Sequence, residues 1–157
     1  ENLIIPDNIR AISACVFYEC NTLKSVKLPD GISEIFAGTF YSCTNLETVI
    51  MPDSLIKIRL SAFEKCTSLK NVIFGRNLRN IHGAAFAGCT SLKELTIPDT
   101  VRVIEQHAFA NCTSLEKVTL SENTFISRRI FYGCEKIHIY SSQTGNEITD
   151  WYNGITY

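Results

Sequence analysis

Residues Cys89–Cys112 read CTSLKELTIPDTVRVIEQHAFANC, and this stretch sets the period of the whole chain. The same pattern recurs along the sequence at intervals of 22 or 23 residues. Its cysteine column consists of Cys20, Cys43, Cys66, Cys89, Cys112 and Cys134, and a phenylalanine lies three residues before each of them. Self-similarity at a fixed period is the signature of a repeat protein, whose units bury their apolar faces only against one another. The sequence therefore predicts a solenoid.

The spacing inside one unit predicts the path of each coil. Val72 and Phe74 are two residues apart and point to one face of a strand, while Asn71 and Ile73 point to the other face. A Pro-Asp pair ends most of the strands, because proline has no N–H to donate to a neighbouring strand. The AFxxC segment is too short for a full helix and predicts one helical or 3-10 turn. The expected fold is an α/β-type repeat solenoid, a right-handed coil with a parallel β-sheet on its concave face and short helical or 3-10 turns on its convex face.

The two ends of the chain depart from the repeat. We expect residues 1–157 to form a single domain, with about six coils from residue 3 to residue 139 and a C-terminal cap over residues 140–157. In the last coil, EKIHI aligns with EKVTL if three residues are dropped, which places Ile137 and Ile139 at the strand positions. Trp151 and Tyr152 are predicted to cover the last apolar row.

Composition and charge give few indications of a partner. The formal net charge of -1 gives no indication of a nucleic-acid or anionic-membrane partner. No apolar run approaches the ~20 residues of a membrane helix, and the first residues lack a basic region and a cleavage site, so the sequence predicts neither membrane insertion nor a signal peptide. No phosphate-binding loop, paired acid or triad pattern is present, so we expect no cofactor and no enzymatic activity.

The cysteine column has several possible explanations. A nucleophile needs a neighbouring base, yet His82, His107 and His138 occupy three different positions in the repeat. Zinc needs ligands that converge, and cysteines along an axis do not converge. Stacked coils bring Cα atoms within disulfide range, but parallel side chains keep the Cβ atoms too far apart. The sequence thus predicts a row of buried, reduced thiols with weak hydrogen bonds to turn carbonyls, and Cys15 is the exception because it lies off the row.

The columns resemble those of the BspA-type, or treponemal-type, leucine-rich repeats, over residues 3 to about 139. Gly75-Arg76, in place of Pro-Asp, and the shortened last coil depart from that pattern. The resemblance implies a cell-surface or secreted protein whose ligand is a host extracellular-matrix protein of the fibronectin or fibrinogen type. It also implies a class of proteins without catalytic residues.

The outward positions of the concave strands are the candidate binding surface. Ile50 and Ile73 are adjacent there and are bordered by lysines, as suits a protein partner. The partner-binding residues predicted on this face are Lys27, Ile50, Ile73, Thr96, Thr48, Asn71, Lys70 and Glu94. Strand propensity alone also explains the isoleucines. A column of Asp7, Asp30 and Asp53 is a weaker candidate for calcium, because turn capping explains each aspartate separately.

Two functions are therefore expected from the sequence. The first is a monomeric, non-catalytic protein-binding module, such as an adhesin for matrix proteins. The second is a structural spacer or accessory repeat domain of a larger surface protein, since the first coil lacks its phenylalanine and cysteine.

Overall fold

Two rows of short parallel strands run along the solenoid in a computed structural model that describes residues 1–148. The strands of the first row face the side that the sequence predicts to be concave. They are β1 (Asn2–Ile4), β2 (Ser25–Lys27), β4 (Thr48–Ile50), β6 (Asn71–Ile73), β8 (Glu94–Thr96), β10 (Lys117–Leu120) and β12 (His138–Ser141). Aligned residues in this row are generally 23 positions apart, as in the pair of Val26 and Val49. The predicted strand positions are confirmed in every coil except the last.

A second parallel sheet is formed by the segment that follows the Pro-Asp turn. Its strands are β3 (Glu34–Ile35), β5 (Lys57–Ile58), β7 (Asn80–Ile81), β9 (Val103–Ile104) and β11 (Phe125–Ile126), and each pairs with the next. The isoleucines of this row point into the core. The sequence predicted these isoleucines as apolar positions but did not predict a second sheet.

The first row is not continuous, contrary to the single sheet that the sequence predicts. One sheet contains β1, β2, β4 and β6, and a separate sheet contains β8, β10 and β12. Within residues 1–148 no pairing joins β6 to β8. The same two coils remain paired on the other side, where Asn80 aligns with Val103 and Ile81 with Ile104. These two coils are therefore separated in the first strand row and remain paired in the second.

The convex segments are turns, and the prediction of helical or 3-10 turns is wrong for the described residues. In one coil, the N–H groups of Ser61, Phe63 and Lys65 donate to carbonyls of the next coil at 2.7–3.1 Å. The intervening N–H groups donate three residues back. Ser61 and Lys65 have φ angles of 55° and 62°, and left-handed residues recur at these positions in the other coils. A helix would keep all these donors inside the coil, whereas here every second donor stabilises the stack.

Aromatic rings and leucines fill the core between the two rows. The rings of Phe17, Phe40, Phe63, Phe86, Phe109 and Phe131 form one stack with centroids 5.0–5.7 Å apart. Phe40, Phe63, Phe86 and Phe109 are fully buried. Because each of the four inner rings lies between two others, each inner coil contributes apolar surface to both neighbours.

The last coil differs from its predicted alignment. Ile139, not Ile137, pairs with Val118, and Ser141 takes the position of Leu120. Ile137 lies just before β12, three residues after Cys134, which is the position of the leucine in other coils. The alignment that keeps this leucine row filled is favoured, because the row is buried in every complete coil. Trp151 and Tyr152 lie outside the described residues, so their predicted covering role stays a prediction.

Replacing a central ring of the stack should destabilise the protein. We expect Phe63→Ala to lower the free energy of unfolding by about 3–5 kcal/mol, because it leaves a cavity between two coils. Phe125→Ala is the matched control, since Phe125 is 66% exposed and should cost far less. Urea denaturation followed by circular dichroism measures both. Equal losses for the two variants would contradict this account of the core.

A three-residue ion cluster connects two coils at the second sheet. Glu34 lies 3.1 Å from the Lys57 ammonium and 2.8 Å from the Arg59 guanidinium. Burial alone would raise the pKa of Glu34, but the hydrogen bonds from Arg59 and Lys57 outweigh it, so the pKa is lowered. The carboxylate therefore stabilises the folded state above its unfolded pKa of about 4.3.

This stabilisation should disappear in acid, as the pH falls through the lowered folded pKa of Glu34. We expect the urea midpoint of Glu34→Gln to fall less than that of the wild type between about pH 5 and pH 3, because the variant has no carboxylate to protonate. Glu135→Gln is the control, since Glu135 is exposed and forms no ion pair within residues 1–148. Its acid dependence should match that of the wild type, and parallel pH profiles for all three proteins would refute the role of the cluster.

Candidate functional site

Five of the six cysteines in the column form a ladder of hydrogen-bonded thiols, as the sequence predicts, whereas Cys20 is half-buried and donates no such bond within residues 1–148. Each thiol donates to the carbonyl of the phenylalanine in the preceding coil at 3.0–3.3 Å. The donors are Cys43, Cys66, Cys89, Cys112 and Cys134. All seven cysteines, which lie within residues 1–148, are free of disulfides. Burial raises the pKa of the Cys89 thiol, so this residue is a poor nucleophile and a poor metal ligand.

The remaining chemically reactive side chains do not converge. Within the described part of the chain, no group of three or more histidine, cysteine or acidic residues is placed to hold a metal ion. In the aspartate column, the Asp53 carboxylate accepts hydrogen bonds from the Arg76 guanidinium at 2.6 and 2.8 Å. These bonds lower the pKa of Asp53. Asp7 accepts a hydrogen bond from the Asp30 backbone N–H at 3.0 Å, so two of the three aspartates serve the stacking of turns.

The outward residues of the first strand row form a surface that we name the long-strand face. Its central column contains Ile4, Lys27, Ile50, Ile73, Thr96 and Thr119. Ile50 and Ile73 are aligned partners on adjacent strands and are 37% and 53% exposed. Lys27 and Thr96 flank them and are also exposed. The structure thus places these four predicted residues in one row.

The neighbouring columns are ordered by side-chain contacts between coils. The Lys70 ammonium lies 3.1 Å from the Glu47 carboxylate, and the Asn71 amide donates to the Thr48 hydroxyl at 3.3 Å. Glu94 is exposed in the same column as Asn71. The surface is therefore held in place before any ligand arrives, which lowers the entropic cost of binding.

A groove of about 980 Å³ opens in this face where β6 and β8 fail to pair. Of the eight predicted residues, six line it: Thr48, Lys70, Asn71, Ile73, Glu94 and Thr96. Lys27 and Ile50 lie beside it on the same face. The groove also reaches Val72 and Leu95, which belong to the core rows of their coils.

Sequence reasoning missed the groove and the residues that reach it from below. Val72 is half-buried, whereas its counterparts Val26, Val49 and Val118 are buried. Lys93 also lines the groove and was not among the predicted site residues. The sequence signal that could have indicated the groove is the segment Phe74, Gly75 and Arg76, where this coil departs from the Pro-Asp pattern.

Parallel strands, a stack of apolar rings and an exposed strand face define the leucine-rich repeat class of solenoids. The model of the BspA type leucine rich repeat region matches six copies, over residues 1–100 and 79–152. The chain therefore belongs to the BspA-type leucine-rich repeat family.

Solved structures agree with this assignment. The T. pallidum leucine-rich repeat protein is 30% identical with a TM-score of 0.81, and the match covers 90% of this chain and 70% of that one. A leucine-rich repeat protein from Bacteroides ovatus is 31% identical with a TM-score of 0.78, covering 88% of this chain and 39% of that one. The pneumococcal vaccine antigen PcpA is 27% identical with a TM-score of 0.65, covering 78% and 31%. No curated protein sequence matches the chain.

The thiol ladder predicts a strong contrast in chemical reactivity. We expect a maleimide reagent to modify exposed Cys15 first and half-exposed Cys20 more slowly, because the ladder thiols are buried. Cys66, Cys89 and Cys112 should react only after denaturation. Mass spectrometry of timed samples identifies the labelled residues, and Cys15→Ala should remove the fast phase. Native labelling of Cys89 at the rate of Cys15 would show that the ladder is accessible.

Proposed function

We propose that this chain is a non-catalytic protein-binding module of a cell-surface or secreted protein and that it binds through the long-strand face. The observation that carries the proposal is the adjacent pair Ile50 and Ile73, half-exposed beside a groove in a rigid sheet. Apolar residues at the centre of a surface with a polar border are typical of protein interfaces. The proposed partner-binding residues are the eight predicted from the sequence. They are Lys27, Ile50, Ile73, Thr96, Thr48, Asn71, Lys70 and Glu94.

Backbone pairing supports the proposal, because it fixes the positions of these side chains. Ile50 and Ile73 lie on paired strands, with the Lys70–Glu47 ion pair at 3.1 Å and the Asn71–Thr48 hydrogen bond at 3.3 Å beside them. A partner that docks on this surface orders few side chains. Such preorganisation is the main advantage that a solenoid offers as a binding scaffold.

The family resemblance supports the kind of partner, and a solved relative that is an antigen supports the location. The BspA-type resemblance implies surface display and binding to host extracellular-matrix proteins of the fibronectin or fibrinogen type, and one structural relative is a pneumococcal vaccine antigen. None of the described residues forms a helix that is long and apolar enough to cross a membrane. We propose a monomer, because the binding surface is built within one chain.

The side chains that could carry out chemistry have structural roles, so they give no support for catalytic activity. The thiols of the ladder and Asp53 already act as partners between coils. The alternative function is a spacer or accessory repeat domain of a larger surface protein. The coverage of 39% of the Bacteroides ovatus protein and 31% of the pneumococcal antigen favours this alternative, because the relatives extend well beyond the matched region.

Charges placed on the apolar pair should weaken binding. We expect Ile50→Glu plus Ile73→Glu to weaken binding to immobilised fibronectin or fibrinogen at least about tenfold, because the carboxylates would have to be desolvated at the interface. Surface plasmon resonance with purified protein measures the affinity. The matched control is Leu60→Glu plus Phe125→Glu, which alters two residues 57% and 66% exposed and outside this face.

The outcome separates the two functions. Wild-type binding that the control retains and the Ile50/Ile73 variant loses supports the binding module. Binding that survives in both variants excludes this face as the site. Absence of binding to either matrix protein removes the matrix partner from the proposal and leaves the spacer function as the better account.

A further inference from the structure

The gap between β6 and β8 has the unpaired edges and the chemistry of a missing strand. Most Cα–Cα pairs between β6 and β8 exceed 8 Å, whereas paired strands lie about 4.8 Å apart. An inserted strand needs two such spacings, about 9.6 Å. Because β7 and β9 remain paired and the Cys89 thiol still donates to the Phe63 carbonyl, the coils stay joined behind the gap.

Both edges of the gap carry backbone groups without partners. The N–H groups of Leu28, Met51 and Ile97 donate to the next coil at 2.8–2.9 Å, but that of Phe74 has no acceptor within residues 1–148. At the other edge the comparison is with Lys117, the counterpart of Glu94 in the next coil. The Lys117 N–H donates to the Lys93 carbonyl, whereas the Glu94 N–H has no acceptor in the described chain. Unpaired parallel edges are templates for another strand.

Two departures from the repeat, at Phe74 and at Gly75, coincide with the opening. The Phe74 ring packs edge-on against Phe86 of the next coil, with centroids 5.9 Å apart, where other coils have a leucine, isoleucine or methionine. At Gly75 the chain lies directly against the preceding coil, where a Cβ would be 1.9 Å from the Pro52 carbonyl oxygen, so only glycine fits there. The Arg76 backbone N–H donates to Asp53 at 2.7 Å, as the Asp30 N–H does to Asp7, so this bond belongs to the ordinary stacking of the turns and does not cause the opening.

The charge pattern shows which residue the missing strand should carry. One column of the long-strand face reads Lys24, Glu47, Lys70, Lys93 and Glu116. Opposite charges alternate along this column except across the gap, where two lysines face each other. Lys70 pairs with Glu47, and Lys93 forms no ion pair within the described residues. An acidic residue between them would restore the alternation, since cross-strand opposite charges stabilise a sheet.

We propose that an extended segment of a protein partner binds as an added strand between β6 and β8. Its backbone pairs with both edges, its alternate apolar side chains point towards Val72 and Leu95, and an acidic side chain lies between Lys70 and Lys93. This inference rests on the proposed protein-binding function and specifies how the partner is held. Strand addition takes its affinity from main-chain hydrogen bonds and its specificity from alternate side chains.

A peptide that copies one of the chain's own strands is a suitable probe. The capped peptide Leu-Glu-Lys-Val-Thr-Leu-Ser, which copies residues 115–121, has inward apolar residues and a glutamate in the required column. We expect it to bind the intact chain and to slow amide hydrogen exchange at Phe74 and Glu94, as followed by nuclear magnetic resonance. N-methylation of its valine and second leucine removes the donors to one edge and should weaken binding at least about tenfold. Replacing the glutamate of the peptide with lysine should also weaken binding.

Each other result of the peptide experiment overturns the proposal. Binding that N-methylation leaves unchanged would show contact through side chains only. Absence of binding, or binding without protection at Phe74 and Glu94, would show that no strand enters the gap. Protection in the free protein would show that this chain or a second copy already fills the gap.

Phe74→Leu supplies a matched test on the protein side. We expect this variant to close the gap, which should protect the amides of residue 74 and Glu94 without peptide and abolish peptide binding. Peptide binding that survives after closure overturns the proposal, and exchange that stays fast overturns the wedge role of Phe74. Neither result depends on the Ile50/Ile73 variant, so a failure of strand addition is distinguishable from a failure of the binding face.

Discussion

Hydrogen bonding from one coil to the next is the constraint on which this structure depends. A coil of about 23 residues cannot satisfy its own backbone, because its strands are two to four residues long and its convex segment is not helical. Every second donor of the convex segment therefore passes to the next coil, as from Phe63 to Ala85 at 2.7 Å. The left-handed residues that flank each phenylalanine allow this alternation. The cost of these conformations is offset by hydrogen bonds that would otherwise be lost in the core.

Stacking at this fixed spacing determines what the chemically reactive residues do. Rings placed every coil come within 5.0–5.7 Å of each other, and each ladder thiol reaches the phenylalanine carbonyl one coil back. These contacts leave the sulfur atoms buried and hydrogen-bonded. The same residues that would indicate chemistry if they converged are, along an axis, part of the support for the sheet. The exposed long-strand face is where we propose that a partner binds.

The repeat made most of the fold predictable from the sequence. Val72, Phe74 and their counterparts identified the strands, and the cysteine column identified buried thiols, because these residues share one environment in every coil. The convex turns were not predictable from the AFxxC segment, since the choice between a helix and bonds to the next coil depends on the neighbouring coil. The last coil was misaligned because the strand spacing of Ile137 and Ile139 matched two positions, and only the buried leucine row distinguishes them. The candidate site residues were placed on the predicted face, but the groove that six of them line depends on how two coils fail to pair.

The opening between β6 and β8 lies where individual residues depart from the repeat pattern. Phe74 fills a position that holds a smaller side chain in the other complete coils, and its ring extends to Phe86 of the next coil. Gly75 permits a close approach to Pro52, because a Cβ at this position would lie 1.9 Å from the Pro52 carbonyl oxygen. Neither change disturbs the second sheet or the thiol ladder, which bear the stacking. Because the two supports are separate from the exposed sheet, one face can open locally while the solenoid remains continuous.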